Sequence, residues 1–334
     1  MLRAAIVGIG WWGKLLVDSV QGLSEHIKFT VGNTRSPAKV DAFCRDRAIR
    51  LVDDYDAVLA DRAVDAIVLA TPHSQHGDQI RRAAAAGKHV FVEKPFTLNS
   101  RDAKAALVSA AEAKIVLAVG FNRRFHPSMA ELRNRVRDGR LGMIESCIAE
   151  QTAGGGVNIQ PGAWRADPNE TPAGAMTGIG IHIVDAMISL FGRAGEAHCI
   201  TTRRVARHVD DTTAVLVKFN NGVAGLFFCS MVTVPNYRFA VYGSNGLAEI
   251  LKPTLEDFRF SPKPDPTVGH LAIVQPQLVR NPGFDTLHAE LTAFATCIRD
   301  RTPYPIPADE VLHGVEVFEA IVESARIGKA VTVG

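Results

Sequence analysis

AAIVGIGWWG, residues 4–13, decides how this chain folds. Its first half, Ala4–Gly8, is a short apolar run that reads as a buried strand. Gly8-Ile9-Gly10-Trp11-Trp12-Gly13 follows with G-x-G-x-x-G spacing, and a helical pattern comes after it. In a strand–turn–helix setting such glycines permit a tight turn and let backbone approach a pyrophosphate closely. The helix start then offers free N–H groups and a positive dipole end. Gly8, Gly10, Trp11, Trp12 and Gly13 are therefore candidate dinucleotide contacts. A glycine turn without a ligand fits the same spacing, so the weight rests on context, strand before and helix after.

The pattern spreads outward from this loop. Ile27–Asn33, Val64–Ala70, Lys88–Glu93 and Ile115–Gly120 are further apolar runs, separated by helical stretches such as Ser74–Gly87 and Ser100–Lys114. Each of those helices opens on a serine able to cap the free amides of a first turn. Strands apolar on both faces that alternate with helices predict a doubly wound parallel sheet of the Rossmann type, an α/β fold, over residues 1–122. The pattern then changes. Thr212–Ser230 is two alternating strands around Asn221-Gly222, a strong hairpin signal, and Val241–Ile250 repeats the theme. Leu251–His270 is rich in proline and charge and reads as an irregular excursion, while Phe284–Ile327 returns to helical periodicity. Residues 123–334 thus read as a second α/β domain with an open, mostly antiparallel sheet.

Composition narrows the function classes. Of 334 residues, 47% are hydrophobic and 22% charged, enough to bury two ordinary cores. Net charge is only +2 with no long basic run, which speaks against nucleic acid as the main partner. No segment approaches about 18 uninterrupted apolar residues, so no membrane span is expected. The first residues carry too short an apolar run for a secretory signal, and the five scattered cysteines form no C-x-x-C. Both point to a reducing, cytoplasmic setting.

In NAD-specific sites an acid about 20 residues beyond the last glycine binds the adenosine ribose hydroxyls. Here that position falls at Thr34-Arg35-Ser36, a guanidinium between two hydroxyls with no carboxylate beside it. A 2′-phosphate would suit this place, so the expected cofactor is NADP, with NAD as the alternative. A solvated arginine at a strand end is the bland reading of the same residues.

Further motifs follow in order. Thr71-Pro72-His73-Ser74-Gln75-His76 and Glu93-Lys94-Pro95 each end a strand. Gly120-Phe121-Asn122-Arg123-Arg124-Phe125-His126-Pro127 ends another; Trp164-Arg165 and Gly180-Ile181-His182-Ile183-Val184-Asp185 come later. Together they resemble the glucose–fructose oxidoreductase/inositol dehydrogenase (Gfo/Idh/MocA) family over essentially the whole chain. The resemblance implies a small-molecule oxidoreductase that moves a hydride between nicotinamide and a secondary alcohol or ketone of a sugar, cyclitol or cyclic diol. It implies Lys94 and His182 as catalytic residues, and a cis bond before Pro95 that aims Lys94. Thr71, Pro72, His76, Glu93, Lys94, Asn122 and Arg123 would join the cofactor site; Lys94, Arg124, Trp164, Arg165 and His182 would meet substrate. It also implies a homodimer or homotetramer built through the second domain's sheet.

One departure stands out. The family usually reads D-x-G-x-H-x-x-D, and Gly178 occupies the first Asp position, one helical turn before His182. Asp185, three residues after His182, is the remaining carboxylate able to orient the ring. The departure leaves two rivals open: a non-catalytic sensor of dinucleotide and sugar, or a lyase or glycosidase that uses bound NAD as an internal relay. His73 and His76 lack the carboxylate or cysteine companions of a zinc set, so no metal is expected.

Overall fold

A computed structural model describes residues 1–265, 267 and 274–334. The chain forms two compact units, Met1–Asn122 with Asp285–Val315, and Arg123–Phe284 with Glu316–Gly334. A single division after residue 122 was expected. The structure instead returns residues 285–315 to the first unit.

The first unit is built on a parallel sheet of β1 (Leu2–Val7), β2 (Ile27–Asn33), β3 (Arg50–Leu51), β4 (Ala66–Leu69), β5 (His89–Glu93) and β6 (Leu117–Gly120). Its strand order is β3-β2-β1-β4-β5-β6, with every pairing parallel. Order reverses between β1 and β4, and in such sheets ligands bind at that switch point, outside the carboxyl ends of the strands. Ala4, Ala5, Ile6, Ile67, Val68, Val90 and Phe91 are all fully buried, as strands covered on both faces must be. Five helices accompany the sheet: α1 (Trp11–Val20), α2 (Asp41–Asp46), α3 (Tyr55–Ala60), α4 (His76–Ala85) and α5 (Ser100–Glu112). Neither of the serines expected to open these helices is the N-cap residue. The α4 helix starts at His76, after a 3-10 turn over His73–Gln75, and α5 is capped by Asn99, whose side chain accepts from Asp102 N at 2.8 Å.

The second unit carries α6 (Pro127–Arg137), β7 (Ile144–Thr152), α7 (Ile181–Phe191), β8 (Ala194–Thr202), β9 (Thr212–Phe219) and β10 (Ala224–Ser230). After these come β11 (Asn236–Gly243), β12 (Gly246–Leu251), β13 (Asp257–Pro262) and β14 (Gln277–Arg280). The hairpin at Asn221-Gly222 forms as read: Gly222 has φ 92° and its N–H donates to Phe219 O at 3.0 Å. The supposed excursion contains a strand. Within Leu251–His270, β13 pairs antiparallel with β12; residues 266 and 268–270 of that stretch lie outside the described residues. Phe258 and Phe260 face inward with Arg259 between them, a period-two pattern hidden among prolines.

The chain ends with α8 (Thr286–Asp300), α9 (Ala308–Ile327) and β15 (Val331–Thr332). The second sheet thus runs β14-β13-β12-β11-β7-β10-β9-β8-β15, with β7 and β10 its single parallel pair among the described residues. The α6 and α7 helices pack against it.

Candidate active site

The glycine loop joins β1 to α1. Gly8 takes φ 93°, and a Cβ there would strike the Ala70 carbonyl. A Cβ at Gly13 would strike the carbonyl of Gly8, so glycine at 13 is what lets the helix close on the loop. Gly10 differs: nothing lies within 4 Å of where its Cβ would stand. It is the N-cap of α1, the first turn of which holds no acid and no side-chain cap. An open glycine beneath uncapped helix N–H groups is a cradle that fits a dinucleotide pyrophosphate. Trp11 is exposed and Trp12 half-buried, with ring centroids 5.5 Å apart.

The end of β2 is tied to this loop, because Gly8 N donates to Asn33 O at 2.9 Å. Thr34 is half-buried; Arg35 and Ser36 are exposed. No hydrogen bond or ion pair engages the Arg35 side chain among the described residues.

The end of β4 is braced from within. Thr71 Oγ1 donates to Gln79 Oε1 at 2.6 Å, and Pro72 leads into the 3-10 turn. His76 is fully buried. Its Nδ1 lies 2.9 Å from the Pro95 carbonyl oxygen and its Nε2 3.1 Å from that of Thr71. The ring therefore joins the loop after β4 to the loop after β5. His73 meets it edge-on at 5.9 Å. Among the described residues no group of three or more His, Cys, Asp or Glu could hold a metal ion.

Lys94 follows β5, half-buried, and its bond to Pro95 is cis, as the resemblance implies. Lys94 N donates to Glu93 Oε2 at 3.2 Å. The Glu93 carboxyl is buried behind it, and a Cβ on Gly120 would lie 2.9 Å from Oε1, so glycine at 120 leaves room for the acid. Burial pushes Glu93 up to about 7, against the pull of the Lys94 charge. The Trp12 indole N–H also pulls it down without closing to hydrogen-bond geometry. Trp12 thus places the start of α1 beside the residue that precedes Lys94.

A residue missed from sequence completes this cluster. Glu290, on α8, is fully buried, and neither of its carboxyl oxygens has a hydrogen-bond partner among the described residues. Burial, then the charges of Glu93 and Asp285, push it well above the ordinary carboxylate range, while Lys94 draws it down. Its signal was available: Glu290 falls on the apolar face of its helix with Leu291, Phe294 and Cys297. Asn122 closes this unit's set, donating from Nδ2 to Thr286 Oγ1 at 2.7 Å.

In the second unit, His182 sits buried near the start of α7. Gly178 lies in a π turn over Met176–Gly180 rather than in the α-helix expected, so its offset from His182 is not the four-residue step of an α-helix. Asp185 pairs with Arg124. Arg124 Nε donates to Asp185 Oδ2 at 2.8 Å and Arg124 Nη2 to Oδ1 at 2.6 Å, with the side chains 6% and 7% exposed. This bidentate pair ties the loop after β6 to α7, the helix that carries His182. Arg123, expected at the cofactor, stacks on the Tyr237 ring at 4.6 Å. Trp164 and Arg165 occupy a 3-10 turn with the guanidinium 4.1 Å from the indole centroid, and Arg165 is exposed.

Comparison with known proteins gives consistent matches. Residues 2–121 match the Gfo/Idh/MocA oxidoreductase family with an NAD-binding Rossmann fold, and residues 129–249 match a Gfo/Idh/MocA C-terminal domain. A scyllo-inositol 2-dehydrogenase (NAD(+)) of Bacillus subtilis (strain 168) is 28% identical, covering 99% of this chain and 96% of its own. Human trans-1,2-dihydrobenzene-1,2-diol dehydrogenase is also 28% identical, over 75% of both chains. Levoglucosan dehydrogenase, solved in complex with NADH, superposes with a TM-score of 0.89 at 19% identity, covering 100% of this chain and 99% of that one. A likeness at that identity speaks to the fold. Among the described residues, no helix is long and apolar enough to cross a membrane.

Proposed function

Since the chain belongs to the Gfo/Idh/MocA family of NAD-binding oxidoreductases, we propose that it is an NADP(H)-preferring dehydrogenase of a sugar, cyclitol or cyclic diol. The supporting observation is local. The open cradle at Gly10 and the Lys94–Pro95 turn lie at carboxyl ends of one sheet, and Trp12 reaches from the first toward Glu93 beside the second. Nicotinamide, when bound, supplies or accepts the hydride. Lys94 binds the reacting oxygen and holds or takes its proton, a role suited to an ammonium partly withdrawn from water. His182 assists from the substrate side. Relatives that act on inositol and on a dihydrodiol support the substrate class.

The preference for NADP(H) rests on Arg35, an unengaged guanidinium between Thr34 and Ser36 at the end of β2. The enzyme acts in the cytoplasm as a homodimer or homotetramer. Ile148, Leu226 and Leu216 form one exposed cross-strand row on the second sheet, with Phe228 and Ile200 exposed in the next, an apolar face suited to a second copy. A screen of sugars, cyclitols and cyclic diols with NADP⁺, read by absorbance of reduced nicotinamide, tests the activity. At least one compound should give steady turnover; a uniformly flat screen with both NADP⁺ and NAD⁺ would overturn the reading.

A further inference from the structure

A cavity opens at the other rim of the first unit's sheet, where its strands begin. It measures about 710 Å³ and is lined by residues of that unit alone, among them His89 opening β5 and Leu117 opening β6. Lys114 and Arg301 bring two positive charges to it, and no aspartate or glutamate lines it. Neither of these side chains makes a hydrogen bond or ion pair among the described residues. Asp300, next to Arg301, is held by Arg299 at 2.7 Å, and Asp65, whose charge reaches His89, by Arg3 at 2.7 Å. Both cations stand in the left-handed backbone region just past a helix, Lys114 at φ 55° after α5 and Arg301 at φ 54° after α8. That place favours glycine, and α4 and α7 end on Gly87 and Gly192 in it. A cation at a helix end complements the dipole, which accounts for each charge alone but not for two bordering one cavity.

His89 adds a fixed donor. Its Nδ1 accepts from Val116 N at 2.9 Å, which puts the proton of the neutral ring on Nε2. Nε2 itself makes no hydrogen bond among the described residues. Burial holds His89 below the ordinary imidazole value, against the pull of the Asp65 charge, so the ring is neutral at physiological pH. We propose that this cavity binds a small organic phosphate, its phosphate gripped by Lys114 and Arg301 and its body laid against Ile298 and Pro303. Two separate cations and a neutral N–H suit a group with nearly two negative charges and three acceptor oxygens. A simple carboxylate offers one charge and two oxygens. The volume is that of a small-molecule site. The cradle at Gly10 and the Lys94–Pro95 turn lie at the carboxyl ends of the strands, so the inference stands apart from the reading of the cofactor site.

The test is calorimetric titration of the full-length protein with phenyl phosphate and with inorganic phosphate. Saturating NADPH and, separately, NADH are present so that the glycine loop does not take the probe. Phenyl phosphate should bind saturably, with a Kd of about 1 mM or tighter. Lys114→Gly and Arg301→Gly remove a charge yet suit the left-handed backbone, so both variants should fold. Each should weaken phenyl phosphate about tenfold, as the loss of a charge-assisted hydrogen bond predicts. Inorganic phosphate, which has no body to lay on the apolar wall, should bind more weakly than the ester. In nitrogen NMR the His89 ring signal, identified by its loss in His89→Gln, should shift as phenyl phosphate is added. No saturable binding by the wild type overturns the proposal without recourse to any variant. Undiminished affinity in both glycine variants overturns it by placing the probe elsewhere, and equal affinity for the two probes overturns the organic ligand.

Discussion

Arg124 grips both carboxylate oxygens of Asp185 in the interior of the second unit, 61 residues away in sequence, at 2.8 Å and 2.6 Å. A third bond, from Arg124 Nη2 to the Asp185 carbonyl at 3.2 Å, ties the guanidinium to α7 itself. Residues 124 and 185 both sit in motifs that look functional, yet here they hold His182's helix in place. Removing one partner leaves a buried charge alone. Arg124→Met or Asp185→Asn should each cost about 3–5 kcal/mol in chemical denaturation. Arg124→Met with Asp185→Leu should recover much of that loss, and additive losses would contradict the pairing.

Glu93 makes stability depend on pH with a definite sign. Its folded value, about 7, lies above the 4.5 of the free group, so the folded state binds the extra proton. The contribution is therefore complete below about pH 4.5 and is lost as pH rises through 7. Denaturation curves at constant ionic strength should show stability falling by about 1–3 kcal/mol between pH 5 and 8 from this group. Glu93→Gln should flatten that fall. Gly120→Ala should destabilise by a similar amount at all pH values, because its new methyl meets Oε1 at 2.9 Å.

The proposed NADP(H) preference rests on Arg35. Fluorescence titration should show tighter binding of NADPH than of NADH. Arg35→Ala should weaken NADPH about ten- to a hundredfold and leave NADH unchanged, the worth of one charge-assisted hydrogen bond. Tighter NADH binding by the wild type would reverse the assignment.

The outer face of the second sheet is expected to bury itself against a second copy. Light scattering should report a dimer or tetramer, and Leu226→Glu with Phe228→Glu should release monomers. A monomeric wild type would contradict this.

Much of this architecture was legible in sequence because parallel strands covered on both faces leave unbroken apolar runs, as at Ala66–Leu69. The two-residue edge strand at Arg50–Leu51 and the Gln277–Arg280 strand, exposed at every position, offer no such signal. Proline and charge masked β13. The return of Asp285–Val315 to the first unit depends on packing between distant segments, which local periodicity does not encode. The site was legible to the same degree. Glycine spacing and the Glu93-Lys94-Pro95 turn are local and could be read directly. The pairing of Asp185 with Arg124 and the burial of Glu290 are set by tertiary structure, so neither could be read from local sequence.

In the proposed reaction Lys94 is the group that handles the proton. Once a substrate is in hand, single-turnover rates and cofactor affinity of Lys94→Met measure it most directly. Hydride transfer should slow by about 10²–10⁴-fold while the cofactor Kd stays within about threefold of wild type. Transfer at the wild-type rate would contradict the account at its centre.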